Sequence, residues 1–266
     1  MGSKKELIGK TIGSYRLLRF LGEGGFGEVY YAEHVYLGTP VAVKILSLRG
    51  DQQLRDLIRA EARTSARLRH PHIIPIIDFG FEEEMPYLVM MYAAHGTLRT
   101  LHPRTNLVSP PRVAWYVRHI AQALFYAHER KIIHRDVKPE NMLLDAENRL
   151  YLSDFGIAVA AHRTASLNTM PAMGTSAYMA PEQARGKARV GSDQYALAIC
   201  VYEWLTGSLP FVGASALETA LLHQQEPLPD LETTNPRLYK YSRAAIQEVL
   251  LPRFERLKEM QRSTIH

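Results

Sequence analysis

Apolar patterning along the chain changes character once, near Tyr92, and that change limits the fold more than any composition figure. Up to that point short β-type runs follow one another: YRLLRFLGEG, EVYYAEHV, VAVKIL, IIPIIDFG and PYLVMMY. Runs rich in β-branched and aromatic residues, bounded by turn formers, read as strands. One helical segment, DQQLRDLIRAEARTSARLRH, lies among them. Beyond Tyr92 helices dominate. SPPRVAWYVRHIAQALFYAHER opens on Ser109 as an N-cap with Pro110 in the first turn, and Val113, Val117, Ile120, Leu124 and Ala127 recur at spacings of three and four. GSDQYALAICVYEWLTG is apolar nearly all round, as a helix buried inside a lobe would be. The expected fold is therefore α+β in two lobes, a small β-rich one over residues 1–91 and a larger, mainly helical one over 92–266.

The glycines of LGEGGFGEVYYAE then become informative. Their G-x-G-x-x-G spacing also occurs in dinucleotide-binding folds and in ordinary turns. A dinucleotide fingerprint needs the loop to run straight into a helix whose N-terminus holds the pyrophosphate. Here Gly27 is followed by a β-type run, so the stretch is a strand–glycine turn–strand hairpin. A Walker A loop is excluded too, because no Gly-Lys-Ser/Thr follows. A glycine hairpin can still lie over phosphates, since bare backbone N–H groups approach oxygen closely.

Such a lid needs a cation, and VAVK offers Lys44. Its neighbours Ala42, Val43, Ile45 and Leu46 argue for a buried strand, where an unpaired ammonium is costly. On the following helix Glu61 interrupts an inward stripe of Leu54, Ile58, Ser65 and Leu68, which makes it the expected partner. Further on, HRDVKPEN gathers Asp136, Lys138 and Asn141 into one loop, and SDFG adds Asp154 after the hairpin MLLDAENRLYL. Asn141 and Asp154 are hard oxygen donors of the kind Mg²⁺ takes alongside phosphates.

LGEGGFGEV, VAVK, Glu61, HRDVKPEN, DFG, GTSAYMAPE and SDQYALA, in this order, resemble the protein kinases over nearly the whole chain. HRDVKPEN with Lys138 resembles the Ser/Thr-specific branch, and the PYLVMMY, YMAPEQ and SDQYALAICVYEWLTG segments resemble the bacterial eukaryotic-like members. The resemblance implies a bilobal kinase fold, its small lobe a five-stranded antiparallel sheet with one helix. It implies Gly22, Gly24 and Gly27 over the phosphates of ATP, Lys44 on the α- and β-phosphates, and Glu61 holding Lys44. Asp136 would accept the proton of the attacking hydroxyl, Lys138 would neutralise the transferring group, and Asn141 and Asp154 would hold Mg²⁺, with Mn²⁺ as a second candidate. Leu21, Val29, Ala42 and Leu143 would enclose the adenine, Met90 would guard the back of its pocket, and the Met91 and Ala93 backbones would bond it. Core packing of these apolar residues would look the same in sequence.

The chain departs from the family's habits in places. Met91 stands where many relatives have glutamate, and Ala94-His95 where an acid often meets the ribose. Ala198 replaces a common glycine, while Asp193 is present to brace the catalytic loop. Arg135 before Asp136 resembles kinases activated by phosphorylation between Asp154 and Glu182. That segment offers Thr164, Ser166, Thr169, Thr175 and Ser176, with Thr169 the first candidate by spacing and Thr175 a contact of Asp136 and Lys138. Val159 occupies a place where relatives often supply a second cation, which weakens the pocket for such a phosphate. EVLLPRFERLKEM is shorter than the usual segment before the arginine matching Arg253, normally the partner of Glu182.

Composition adds exclusions. Single Cys200, inside an apolar helix, rules out an internal disulfide framework and permits a reducing compartment. A net charge of +5 is spread without the aromatic interleaving of single-strand binders, so no nucleic-acid partner is expected. MGSKKELIG carries charge with no apolar stretch after it, unlike a signal peptide, and position 6 is not the Ser or Thr of a myristoylation motif. No apolar run reaches membrane-helix length. The expected setting is cytoplasmic, with the cytoplasmic part of a longer membrane-anchored protein as a variant of it. ATP and protein Ser/Thr substrates are the expected partners, and a homodimer phosphorylating itself in trans is a further candidate. A nucleotide-binding pseudokinase scaffold is the alternative, against which the intact Lys44, Glu61, Asp136, Asn141 and Asp154 count.

Overall fold

The computed structural model describes residues 7–24, 27–46, 52–83, 85–155, 176–229 and 234–235. The chain divides into two compact units, Met1–Gly96 with Leu143–Thr169 and Thr97–Met142 with Met170–His266.

In the first unit six strands form one sheet: β1 (Thr11–Ile12), β2 (Tyr15–Gly24), β3 (Gly27–His34), β4 (Pro40–Leu46), β5 (Ile76–Glu82) and β6 (Met85–Met91). Their order is β1-β2-β3-β4-β6-β5 and every pairing is antiparallel. The sequence reading gives five strands. The sixth, β1, pairs only Thr11 with Arg16 and Ile12 with Tyr15, too short a run to leave a periodic signal.

Strand β4 explains why PVAVKIL is apolar almost throughout. Alternate side chains of a strand face opposite sides. Val41, Val43 and Ile45 join Tyr15, Leu17, Tyr30 and Val89 in one core cluster. Ala42 and Leu46 join Leu54, Ile58 and Ala62 of helix α1 (Gln52–Ala66) in the other. Both faces are covered, and each buried Val or Ile stabilises the fold by roughly 1.5–3 kcal/mol. Lys44 shares the parity of Ala42 and Leu46, which sets it on the α1 side at 4% exposure. The buried face of α1 is Leu54, Ile58, Ala62 and Ser65, so Ala62 takes the position the stripe assigns to Glu61, and Glu61 is half-buried beside it.

The hairpin of β2 and β3 carries the glycines, with Gly22 opposite Val29 and Gly24 opposite Gly27. Gly27 has φ +149, and a Cβ there would run into the Ile45 carbonyl of β4. Only glycine lets the two backbones approach this closely.

The second unit is built around α3 (Pro110–Glu129) and α5 (Val190–Thr206), with α2 (Leu98–Leu101), α4 (Pro181–Ala184) and α6 (Ala216–Gln225) beside them. Ser109 is the N-cap of α3 as expected, but through its carbonyl, which accepts from the Arg112 and Val113 N–H groups, while its side chain makes no cap bond. The buried face contains Tyr116 rather than Val117, together with Val113, Ile120, Ala123, Leu124 and Ala127. The Tyr116 ring can be buried because its hydroxyl meets His102 Nε2 at 2.8 Å and accepts from Arg112 Nε at 3.1 Å. Helix α5 is buried around nearly all its circumference, and Cys200 is wholly buried, its thiol pushed well above the ordinary value by burial. Gly207 ends α5 in the left-handed region at φ 75.

His223 on α6 gives this unit a pH dependence. It is 3% exposed, and its Nδ1 lies 2.7 Å from the Tyr195 hydroxyl. Burial pushes the imidazole from 6.5 down to about 4, against the Ala177 carbonyl, which pulls it up. The unfolded chain therefore takes up this proton first as pH falls. The contribution is present above the unfolded value and is lost as pH falls through about 4, up to about 3 kcal/mol in all. Urea titrations at stepped pH are expected to give falling stability from neutral pH to about 4, and His223→Gln should flatten that part of the profile.

Candidate active site

In the first unit Lys44 Nζ stands 2.7 Å from Asp154 Oδ2, with side chains 5% and 16% exposed. Two charges this withdrawn from water hold together only as a pair. Asp154 has a left-handed backbone at φ 65, unusual for a residue with a side chain. The next residue is tied down from α1, where buried Ser65 donates its hydroxyl to the Phe155 carbonyl at 2.6 Å. Sequence reasoning put Ser65 on the inward stripe without a task, and a hydroxyl on such a stripe is the signal that it bonds something. Sequence reasoning did not connect Asp154 with Lys44; Glu61, the partner expected from the sequence, is half-buried on α1.

The residues assigned to the adenine gather in the same unit. Ala42 and Met90 belong to the core cluster facing α1, and Val29, Met91 and Leu143 pack against it. Ala93 is 7% exposed and its carbonyl accepts from the Gly96 N–H at 3.1 Å, while the Met91 N–H donates to the Pro75 carbonyl at 3.0 Å. Leu21 is 37% exposed on β2. At Gly22 and Gly24 a Cβ would meet nothing within 4 Å, so packing inside the protein does not demand glycine there.

In the second unit the loop after α3 is held by one buried carboxylate. Asp193, 1% exposed in the first turn of α5, accepts from the His134 N–H at 2.9 Å and the Arg135 N–H at 2.8 Å. His128 of α3 meets the same carboxylate through Nε2 at 2.7 Å. The bracing role expected of Asp193 is what these bonds perform, and they hold Arg135 at φ 68. Asp136, 6% exposed, follows. Its Oδ2 is met by Lys138 Nζ at 2.8 Å and by Asn141 Nδ2 at 3.0 Å, and Asn141 Nδ2 also reaches the Asp136 carbonyl at 2.7 Å. The short 3-10 turn Pro139–Asn141 brings Asn141 back to Asp136. The amide nitrogen of Asn141 is thereby committed, so a cation could be met only through its oxygen. Hard oxygens of this type fit Mg²⁺.

A network that sequence reasoning missed ties this loop to its surroundings. Arg99 of α2 donates through Nε to Glu140 at 2.8 Å and through both Nη atoms to Glu203 of α5, at 2.8 and 3.0 Å. It also bonds the Tyr178 hydroxyl, which itself donates to Glu203 at 2.6 Å. Burial would lower the Arg99 pKa, but the bonds to Glu203, then Tyr178 and Glu140, raise it above its ordinary value. Burial, then the Cys200 and Glu203 neighbours, pushes the Tyr178 phenol far up, so it stays a donor.

Thr164, Ser166, Thr169 and Thr175, with Val159 and Arg253, lie outside the described residues. Ser176 is buried at 1% exposure. Arg135 accepts at its carbonyl from Gln183 at 2.6 Å, and its buried Nε has no hydrogen-bond partner among the described residues. Glu182 accepts from the Ser192 hydroxyl at 2.5 Å, and its other oxygen is buried without such a partner among the same residues.

This arrangement has relatives. Serine/threonine-protein kinase PrkC of Bacillus subtilis is 40% identical over 234 residues, which take in 86% of this chain and 36% of that protein. Serine/threonine-protein kinase PknE of Mycobacterium tuberculosis is 39% identical over 238 residues, 88% of this chain and 42% of that protein. The chain thus spans about two-fifths of the length of these relatives. Among solved structures, the crystal structure of the Mycobacterium tuberculosis PknI kinase domain superposes with a TM-score of 0.69 at 28% identity, covering 94% of this chain and 91% of that one. The α+β kinase fold expected from the sequence is therefore the fold observed. A model of the protein kinase domain matches residues 15–266, and on that match the chain belongs to the protein kinase family.

Proposed function

We propose that this chain is the catalytic domain of a protein Ser/Thr kinase that moves the γ-phosphoryl group of ATP to Ser and Thr hydroxyls of proteins, itself included. The observation that carries the reading is the Asp136 carboxylate, held on one oxygen by Lys138 and Asn141 in a loop braced by Asp193. Its Oδ1 is the atom offered to the substrate hydroxyl. Asp136 orients that hydroxyl and takes its proton as the hydroxyl oxygen bonds to the γ-phosphorus and the bond to the β–γ bridging oxygen breaks, releasing ADP, and Lys138 offsets negative charge on the transferring group. Transfer through a loose transition state asks the protein for positioning and charge stabilisation rather than a nucleophile of its own.

Lys44 supplies the cation for the α- and β-phosphates, with Glu61 as its second carboxylate, and Gly22, Gly24 and Gly27 cover them. Glycine at 22 and 24 without an internal packing reason supports a ligand at that hairpin. The Met91 carbonyl and the Ala93 N–H bond the adenine edge, between Leu21, Val29, Ala42 and Leu143 and in front of Met90. Asn141 and Asp154 hold the divalent ion, Mg²⁺ before Mn²⁺, which neutralises phosphate charge when bound. Thr169 and Ser166 are the proposed phosphorylation sites read by Arg135, with Thr175 reaching Asp136 and Lys138. The lobes are assigned as 1–91 and 92–266.

No described helix is long and apolar enough to cross a membrane. A cytoplasmic setting, with the cytoplasmic part of a longer membrane-anchored protein as its variant, and phosphorylation in trans by a second copy complete the proposal; the relatives' greater length supports a longer protein.

Intact mass before and after incubation with Mg-ATP tests the reading. Phosphate-sized steps, yielding phosphoserine and phosphothreonine on hydrolysis, are expected. No gain in mass, with a melting temperature that ATP still raises, would replace the enzyme by a nucleotide-binding scaffold.

A further inference from the structure

Two neighbouring hydroxyls on α1 behave differently. A serine or threonine inside a helix commonly bonds the carbonyl one turn back along its own helix. Thr64 does so, donating to the Ala60 carbonyl at 2.9 Å. Ser65, on the buried face at 5% exposure, donates away from the helix instead. Its hydroxyl meets the Phe155 carbonyl at 2.6 Å, across 90 positions of chain.

That bond is placed where it can govern geometry. Phe155 is 4% exposed, so its carbonyl, without the Ser65 hydroxyl, loses a donor that water does not readily replace. The residue before it is Asp154, whose backbone stands at φ 65. A residue with a side chain stays in that region only where its surroundings hold it there. Lys44 Nζ holds the Asp154 carboxylate at 2.7 Å, and Ser65 holds the backbone one residue on. A cavity of about 10 Å³ lies beside the bond, lined by Ser65, Met90, Asp154 and Phe155 among others. It is room for about one water-sized group, such as an added methyl.

We infer that Ser65 is a positioning residue for phosphoryl transfer. Its hydroxyl fixes the backbone after Asp154, and with it the aim of the carboxylate assigned above to the divalent ion. The inference rests on that kinase reading. Ser65 acts through the Phe155 carbonyl, not by touching nucleotide or metal.

Ser65→Ala, Ser65→Val and Ser65→Thr test it against the wild type. Valine and threonine share a shape and differ by the hydroxyl, so their difference isolates the bond. On a Ser/Thr peptide, kcat is expected to fall roughly tenfold or more in the alanine and valine variants, with peptide KM unchanged. Threonine should restore most of it. Calorimetry with a non-hydrolysable ATP analogue supplies a readout free of turnover. Affinity without metal should be the same throughout. The tightening that Mg²⁺ gives the wild type should shrink roughly tenfold or more in the alanine and valine variants and persist with threonine. The inference is overturned if alanine and valine lower the melting temperature yet keep the wild-type kcat and Mg²⁺ response, for that is a packing role. It is also overturned if threonine and valine behave alike. If Ser65→Thr fails to fold, Ser65→Ala against the wild type decides by the same two readouts. A wild type that neither binds the analogue nor transfers phosphate overturns the kinase reading, and this inference with it.

Discussion

Asp136→Asn is expected to lower the rate of phosphoryl transfer by roughly 10²–10⁴-fold, the usual contribution of a positioned base. The substitution keeps the shape of a side chain that is only 6% exposed and keeps an oxygen for Lys138 Nζ and Asn141 Nδ2 to meet. What it removes is the capacity to take the hydroxyl proton. ATP affinity, measured by calorimetry, should therefore stay near the wild-type value while the initial rate on a Ser/Thr peptide collapses. Autophosphorylation read by intact mass should vanish in parallel. A variant retaining more than about a tenth of the rate would leave Asp136 as an orienting group only and move the proton to another acceptor. Lost ATP affinity would point instead to collapse of the loop that Asp193 braces.

Much of this could be read in the amino acids, for definable reasons. Strands and helices whose apolar period is long and unbroken, such as β3, β4 and α5, declare themselves, because one face or both must be covered. Asp136, Lys138 and Asn141 were legible because their separation along the chain is short, and a 3-10 turn is enough to bring them together. The pairing of Lys44 with Asp154 spans 110 positions, and no local spacing records it. Helix periodicity reaches only Glu61 on the next helix, so Asp154 adds to that expectation rather than replacing it. The place of Tyr116 on the buried face of α3 was hidden for a different reason. A tyrosine counts as polar or apolar according to what meets its hydroxyl, here His102 and Arg112, and both partners are known only in three dimensions. Arg99 escaped notice because a lone arginine on a four-residue helix resembles any solvated surface charge.

Arg99→Ala is expected to cost roughly 3–5 kcal/mol of stability, because it breaks a buried ion pair and strands the acidic partner. Glu203 is 2% exposed, and without the guanidinium its remaining polar contacts among the described residues are the Tyr178 hydroxyl and Arg104 Nε at 3.5 Å. Neither replaces two charge-assisted bonds at 2.8 and 3.0 Å. Thermal unfolding should shift downward by roughly 10 °C for a protein of this size. A double-mutant cycle separates the pair from simple loss of packing. Arg99→Met alone should destabilise nearly as much as Arg99→Ala, since it keeps the aliphatic stem and not the charge. Adding Glu203→Gln to Arg99→Met should recover a large part of the loss, because the stranded charge is gone. If Arg99→Met proves nearly neutral, the stem rather than the guanidinium holds this site. The same variants carry a kinetic consequence. Glu140 belongs to the HRDVKPEN loop, so loosening Arg99 frees that loop from α5, while Tyr178 of the YMAPE segment keeps its own bond to Glu203. Below the shifted melting temperature the rate on a peptide substrate should fall, and Glu203→Gln, which recovers stability but not the tie to Glu140, should leave it low.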